Sequence, residues 1–240
     1  MSGKYRNFSH GEILGGKMEE KTIIERVQAL QKELINGNAF GEKIYLVAAT
    51  KTQTAEAINA AIVGGVDAVA ENRVQEFRDK TELLSACPQH FIGHLQTNKV
   101  KYLVGKIALF HSCDRYELAA EIARLSCARD VTSDILLQVN IGNEETKGGF
   151  PLSEARTAFE RLSKTDGLRV KGFMAMLPNV DDSALLVKLA DEMRTLFEWA
   201  RAQDVRVEFL SMGMSGDYRL CIEHGSNMIR VGSTIFGRRV

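Results

Sequence analysis

Apolar and polar positions along this chain switch repeatedly between two periods. Ile23, Ile24, Val27, Leu30 and Leu34 recur among Glu and Lys at the spacing of one helical face, and Asn36-Gly37-Asn38 stops that helix. The next run, Ile44–Thr50, is continuously apolar and reads as a buried strand. Further strand-like runs are predicted at Ala68–Ala70, His90–Gly93, Ala108–Ser112, Ile135–Ile141, Val170–Met176, Val207–Met212 and Met228–Val231. Between them lie helical patterns near Thr54–Val63, Val74–Leu84, Asn98–Val104, Tyr116–Ala128, Leu152–Lys164, Ser183–Ala202 and Gly216–His224.

Eight strands alternating with helices suit parallel βαβ units, and over a chain of 240 residues they predict an α/β fold of the (β/α)8 TIM-barrel type. An open doubly wound sheet is the structural rival, but no GxGxxG follows the first strand. With three prolines and no Pro- or Gly-rich linker, residues 18–240 are expected to form one domain. Residues 1–17 read as a flexible extension, with Met18 as an alternative start.

Composition narrows the function classes. Lys+Arg and Asp+Glu are equal at 31 each, so bulk electrostatics point to neither nucleic acid nor an anionic membrane. Cys87, Cys113, Cys127 and Cys221 show no metal-ligand spacing and read as free thiols of a reducing compartment. No apolar run approaches the roughly 20 residues of a membrane span, and the N-terminus lacks the apolar core of a signal peptide. A cytoplasmic protein without metal is expected, most simply a monomer.

The chemistry of a barrel gathers at the C-terminal ends of its strands. Those ends supply Lys51, Asn72, His94, Asn140, Met174, Ser211, Met214, Ser215, Arg230, Gly232 and Ser233. Lys51 stands where a buried run ends. An unpaired ammonium forced out of water tends to give up its proton, and the amine then forms imines with aldehydes. The loops after strands seven and eight, Ser211–Asp217 and Arg230–Thr234, are rich in glycine and serine. Ser215 reads as a helix N-cap, and the two loops together with Arg230 point to a phosphate. Arg230 lies between Ile229 and Val231, so an inward guanidinium needs an acceptor: a cofactor's pyridine nitrogen or a buried carboxylate. Asn72, Asn98 and Asn140 are turn or ligand-orienting residues, His90 and His94 have no metal partner at helical spacing, and Lys147 reads as a solvated loop residue.

LVAATKT, Ala70-Glu71-Asn72-Arg73-Val74-Gln75-Glu76, HFIGHLQTNK, QVNI, ETKGG, GFMAM, LSMGMSGD and MIRVGSTIFG occur in order at nearly every predicted strand end. Through them the chain resembles the pyridoxal phosphate homeostasis proteins over about residues 20–239. The resemblance implies an alanine racemase N-terminal domain type of barrel that holds pyridoxal 5′-phosphate (PLP) as a reversible Schiff base on Lys51. It places Ser211, Ser215, Gly232 and Ser233 at the phosphate and Arg230 at the pyridine nitrogen, with Asn72, Asn140 and Met174 lining the mouth. The serine usual before the lysine is Thr50 here, which keeps the hydroxyl, and the lysine and proline often found after the Lys-Thr pair are Gln53 and Thr54.

The implied function is intracellular vitamin B6 homeostasis: buffering PLP and supplying PLP-dependent apo-enzymes. An arginine opposite the ring nitrogen only donates, so the ring stays a weak electron sink. The alternative is a PLP-dependent amino-acid racemase of weak or narrow activity, with Lys51 serving one ligand face and a tyrosine the other. Among the tyrosines, Tyr218 beside the phosphate loop is the one to examine. A cofactor-free Schiff-base aldolase on the same barrel is a second rival.

Overall fold

In this computed structural model, which describes residues 10–144 and 146–237, the predicted apolar runs become strands whose side chains are covered on both faces. The order is α1 (His10–Leu34), β1 (Tyr45–Ala49), α2 (Ala55–Gly64), β2 (Ala68–Glu71), α3 (Val74–Lys80), β3 (Gln89–Phe91), β4 (Leu109–Cys113), α4 (Tyr116–Ala128) and β5 (Ser133–Asn140). There follow β6 (Phe150–Pro151), α5 (Leu152–Leu162), β7 (Leu168–Ala175), α6 (Ser183–Gln203), β8 (Phe209–Ser211), α7 (Tyr218–Glu223), β9 (Met228–Val231) and α8 (Ser233–Phe236). All strand pairs are parallel. β1 pairs with β2 and β9, β4 with β5, and β5 with β7, so eight strands close into a (β/α)8 barrel. The two-residue β6 only adds to the end of β5.

Period-two alternation divides the strands into inner and outer faces. Val47, Ala68, Ala70, Leu109, Leu136, Met174 and Met228 pack together inside the barrel. Their chain neighbours, such as Leu46, Ala48, Phe110, Phe173 and Ile229, pack instead against the helices. The period carries one step further along each strand, so His111 follows Leu109 inward and Arg230 follows Met228. Gly172, also on this inward period, allows a contact that no side chain permits: a Cβ there would sit 1.9 Å from the Phe209 carbonyl oxygen.

Local signals set the helix ends. Thr54 caps α2 by accepting from the Ala57 N–H (3.3 Å), and Gly65, at φ 103°, closes its C-terminus through bonds to Ala61 and Ile62. Asp182 caps α6 by accepting from Leu185 N–H (3.0 Å). Three expectations shift. The helix foreseen near Asn98–Val104 is a 3-10 segment, Thr97–Tyr102. The helix foreseen from Gly216 begins at Tyr218. Helix α1 starts at His10, inside the stretch read as a flexible extension, of which residues 1–9 lie outside the described residues. Among the described residues no helix is long and apolar enough to cross a membrane.

Candidate functional site

Strand β1 ends at Ala49, and two of the next three residues, Thr50 and Thr52, are held individually. The Thr50 N–H donates to the Ala70 carbonyl (2.9 Å), and the Thr50 hydroxyl donates between Glu71 Oε1 (2.7 Å) and the Ala70 carbonyl (3.0 Å). Lys80 Nζ bridges Glu71 Oε1 (3.0 Å) and Glu76 Oε2 (2.8 Å). Glu76 Oε2 in turn accepts from the Thr52 N–H (2.7 Å). Thr52 sits at φ 67°, a left-handed conformation that a β-branched residue adopts only under constraint. Lys51 is therefore bracketed by two anchored residues, while its own amine has no hydrogen bond or ion pair among the described residues. It is half-buried, in the turn just beyond the strand, and not sealed within it. Burial pushes the Glu71 carboxyl above the usual range despite Thr50 and Lys80. For Glu76 burial pushes the same way, but Lys80 and the Thr52 N–H outweigh it and leave the carboxyl lowered.

Lys51 opens into a cavity of about 360 Å³ that also touches Asn72, Met174, Met214, Ser215, Arg230, Gly232 and Ser233. Ala49, Ile92, Met176 and Gly216, which sequence reasoning did not single out, complete its wall. Gly93 lets β3 close on this mouth, since a Cβ there would lie 2.0 Å from the Asn72 carbonyl oxygen. The two Gly/Ser loops meet through Ser215, whose Oγ accepts from the N–H groups of Gly232 and Thr234 (both 3.3 Å). Ser215 is thus a tie between loops and not the N-cap of α7. Asp217 occupies that cap position and accepts from the Met214 N–H (2.6 Å). The N–H groups of Ser215, Gly216 and Ser233 have no acceptor among the described residues, and all three residues line the cavity.

Arg230 is buried with neutral acceptors only. Nη1 donates to the carbonyl (2.8 Å) and hydroxyl (2.6 Å) of Ser211, and Nη2 to the Ala175 carbonyl (3.0 Å). Burial pulls the guanidinium down to about 10, which leaves it charged at neutral pH. The carboxylate considered as its alternative partner is not there among the described residues. Ser211, fully buried behind Arg230, does not line the cavity; its hydroxyl belongs to the arginine and not to the Gly/Ser loops.

Asn140 is likewise outside the cavity wall. Its amide donates to the carbonyls of Glu144 and Lys147 (2.9 Å each) and its Oδ1 accepts from the Glu144 N–H (3.1 Å), so it organises the loop after β5. Lys147 pairs with Glu144 at 2.5 Å. His94 is exposed and bonded to Asp114 (3.1 Å), and Asn98 is exposed. Tyr218 donates to Glu33 on α1 (3.1 Å to Oε1) and does not line the cavity. The four cysteines are unpaired; burial pushes the Cys113 thiol up to about 12 and Cys221 higher still. Sequence reasoning missed His111. Its signal was the period that places it inward beside Leu109.

Known proteins share this sequence pattern and barrel. A profile for the alanine racemase N-terminal domain matches residues 21–240. A pyridoxal phosphate homeostasis protein of Aquifex aeolicus is 38% identical over 222 residues, covering 90% of this chain and 95% of its own. The Deinococcus radiodurans protein of the same name is 38% identical over 201 residues, with 83% and 91% covered. The structure of PipY from Synechococcus elongatus with PLP bound superimposes with a TM-score of 0.77 at 29% identity, covering 90% of this chain and all of that one. An alanine racemase of Clostridium difficile shares the fold at a TM-score of 0.75 and 15% identity, over 92% of this chain and 57% of its own. The chain belongs to the pyridoxal phosphate homeostasis protein family, built on the alanine racemase N-terminal domain barrel.

Proposed function

We propose that this protein binds pyridoxal 5′-phosphate reversibly at Lys51, buffers it, and supplies it to PLP-dependent apo-enzymes. The observation that carries this reading is the single unpaired amine of Lys51, opening into a cavity shared with Arg230 and the two Gly/Ser loops. PLP supplies, when bound, an aldehyde that exchanges reversibly among amines. The residues present fit it. The Ser215, Gly216 and Ser233 N–H groups are donors in search of an anion, and Ser215 Oγ keeps their loops together. The Arg230 guanidinium is a donor-only group suited to a ring nitrogen that accepts. Ile92, Met174 and Met176 supply an apolar wall. Thr50 and Thr52 hold the Lys51 backbone through the Glu71–Lys80–Glu76 network, so the amine returns to one place after each exchange.

The same cavity supports exchange over racemisation. Racemisation needs a proton donor and acceptor on both faces of a bound amino acid. Among the described residues of this wall, Lys51 is the one acid/base side chain besides the donor-only Arg230, and Tyr218 is committed to Glu33. Purified protein loaded with PLP is expected to be yellow, and borohydride reduction followed by peptide mass spectrometry is expected to place the adduct on Lys51. Lys51→Ala should lose both signals. An adduct on another lysine, or none, refutes the assignment.

A further inference from the structure

Four polar groups inside the barrel are hydrogen-bonded in a line. Arg230 Nη1 donates to Ser211 Oγ (2.6 Å), Ser211 Oγ lies 3.2 Å from His111 Nδ1, and His111 Nε2 lies 3.0 Å from His90 Nδ1. Ser211 and His111 are fully buried, and Arg230 and His90 are 4% and 8% exposed. Holding an aldehyde on Lys51 makes no use of either histidine, yet burying two imidazoles in a barrel interior costs free energy unless they are satisfied.

The first member sets the direction of the line. A guanidinium has donors and no acceptor, so Ser211 Oγ accepts from Arg230. The serine hydrogen is then free to point to His111 Nδ1, which accepts it. A neutral ring that accepts at Nδ1 carries its proton on Nε2 and donates to His90 Nδ1; by the same rule His90 carries its proton on Nε2. Reversed, the line would aim two donors at Ser211 Oγ and leave the serine hydrogen with no acceptor among the described residues. The other acceptors of Arg230 are the carbonyls of Ser211 and Ala175, so the whole set holding the guanidinium is neutral.

We propose that Ser211, His111 and His90 form a one-way hydrogen-bond relay that fixes the guanidinium of Arg230, which makes both histidines positioning residues of the ring-nitrogen site. The relay stands on the protein's own geometry; its connection to the ring nitrogen rests on the PLP reading above. A free serine would let the arginine choose among rotamers. A serine whose hydroxyl is committed to His111, itself committed to His90, offers its lone pair in one direction.

Long-range ¹H–¹⁵N correlation spectra of the full chain without cofactor, labelled at histidine, test the relay directly. At pH 7 both rings are expected to be neutral with the proton on Nε2. A proton on Nδ1 of either ring, or a charged ring, overturns the relay. In Ser211→Ala the His111 Nδ1 resonance should move to the position of an unbonded ring nitrogen, and an unmoved resonance overturns it as well. A second arm uses PLP-loaded protein and a PLP-dependent apo-enzyme as acceptor. His111→Leu should release cofactor about tenfold faster, the equivalent of one lost hydrogen bond. His111→Asn, which keeps an acceptor facing Ser211, should restore most of the difference. Equal release from parent, Leu and Asn variants overturns the positioning role. Should Lys51 carry no PLP, the release arm shows no bound cofactor while the ring tautomers still read out, so the two failures are told apart.

Discussion

His90 is neutral in the folded chain because burial pulls its imidazole from 6.5 to about 4, and burial also holds His111 well below its ordinary value, with His90 and Arg230 adding to the effect. Unfolding returns both rings to water. As pH falls below 6.5 the unfolded chain takes up protons that the folded chain refuses, so stability drops with falling pH; above 6.5 the full contribution is present. For His90 alone the loss reaches about 3 kcal/mol by pH 4. The lowered carboxyl of Glu42 acts in the same direction, but only below its ordinary 4.5, so the interval from 6.5 to 5 isolates the histidines. Glu71 works with the opposite sign: its raised carboxyl costs stability as pH rises past 4.5, and a Glu71→Gln background removes it. Urea midpoints in that background are expected to fall between pH 7 and pH 5, and His90→Asn to flatten the slope. A midpoint that stays constant over that interval in the Glu71→Gln protein would mean that the rings are already charged or solvated.

The turn after β1 and the loop after β8 show how elements share the work of the mouth. Lys80, on the last turn of α3, is the one cation serving both Glu71 on β2 and Glu76 on its own helix, and through them Thr50 and Thr52. Removing one partner from a largely buried ion network leaves the remaining charges unpaired, so Lys80→Met should destabilise the fold by about 3 kcal/mol. Conservation of the parent urea midpoint would show that the carboxylates re-solvate instead. Ser215→Ala frees two N–H groups on the neighbouring loop and should cost about 1 to 2 kcal/mol in PLP affinity, measured by equilibrium dialysis. Much of this scale was legible in sequence, because strands covered on both faces are continuous apolar runs and every predicted run is a strand. The boundaries that slipped were polar ones. Ser215 and Asp217 are both residue types that cap well, and only the second loop, distant in sequence, decides that Ser215 ties the loops while Asp217 takes the N-cap position with its carboxylate turned back to Met214. Ser211 and Asn140 were read as facing a ligand because they stand at strand ends; tertiary partners, Arg230 for one and the Glu144–Lys147 loop for the other, claim their polar atoms. Lys51 was legible as the amine of this mouth, whereas the clamp beside it joins three segments, the turn after β1, β2 and α3, whose pairing no local pattern announces.

At the scale of the molecule, a closed barrel offers one rigid mouth, and what can happen there depends on how many proton-exchanging groups the strands and loops deliver to it. This mouth receives one amine, a buried guanidinium, backbone N–H groups and apolar side chains. The guanidinium only donates, so it cannot serve as the second base. The cavity is large enough for a cofactor, and the neighbouring cavity that shares Lys51, Gly232 and Ser233 brings no further acid or base among the described residues. An aldehyde held on Lys51 would pass to an incoming amine in a reversible exchange that consumes nothing. PLP-loaded protein incubated with L-alanine in deuterated water should therefore hand its cofactor to an added apo-enzyme within the incubation while D-alanine stays at the level of the Lys51→Ala control. Sustained D-alanine formation above that control, growing with protein concentration, would require a second acid/base to enter this cavity in solution and would make the barrel a racemase.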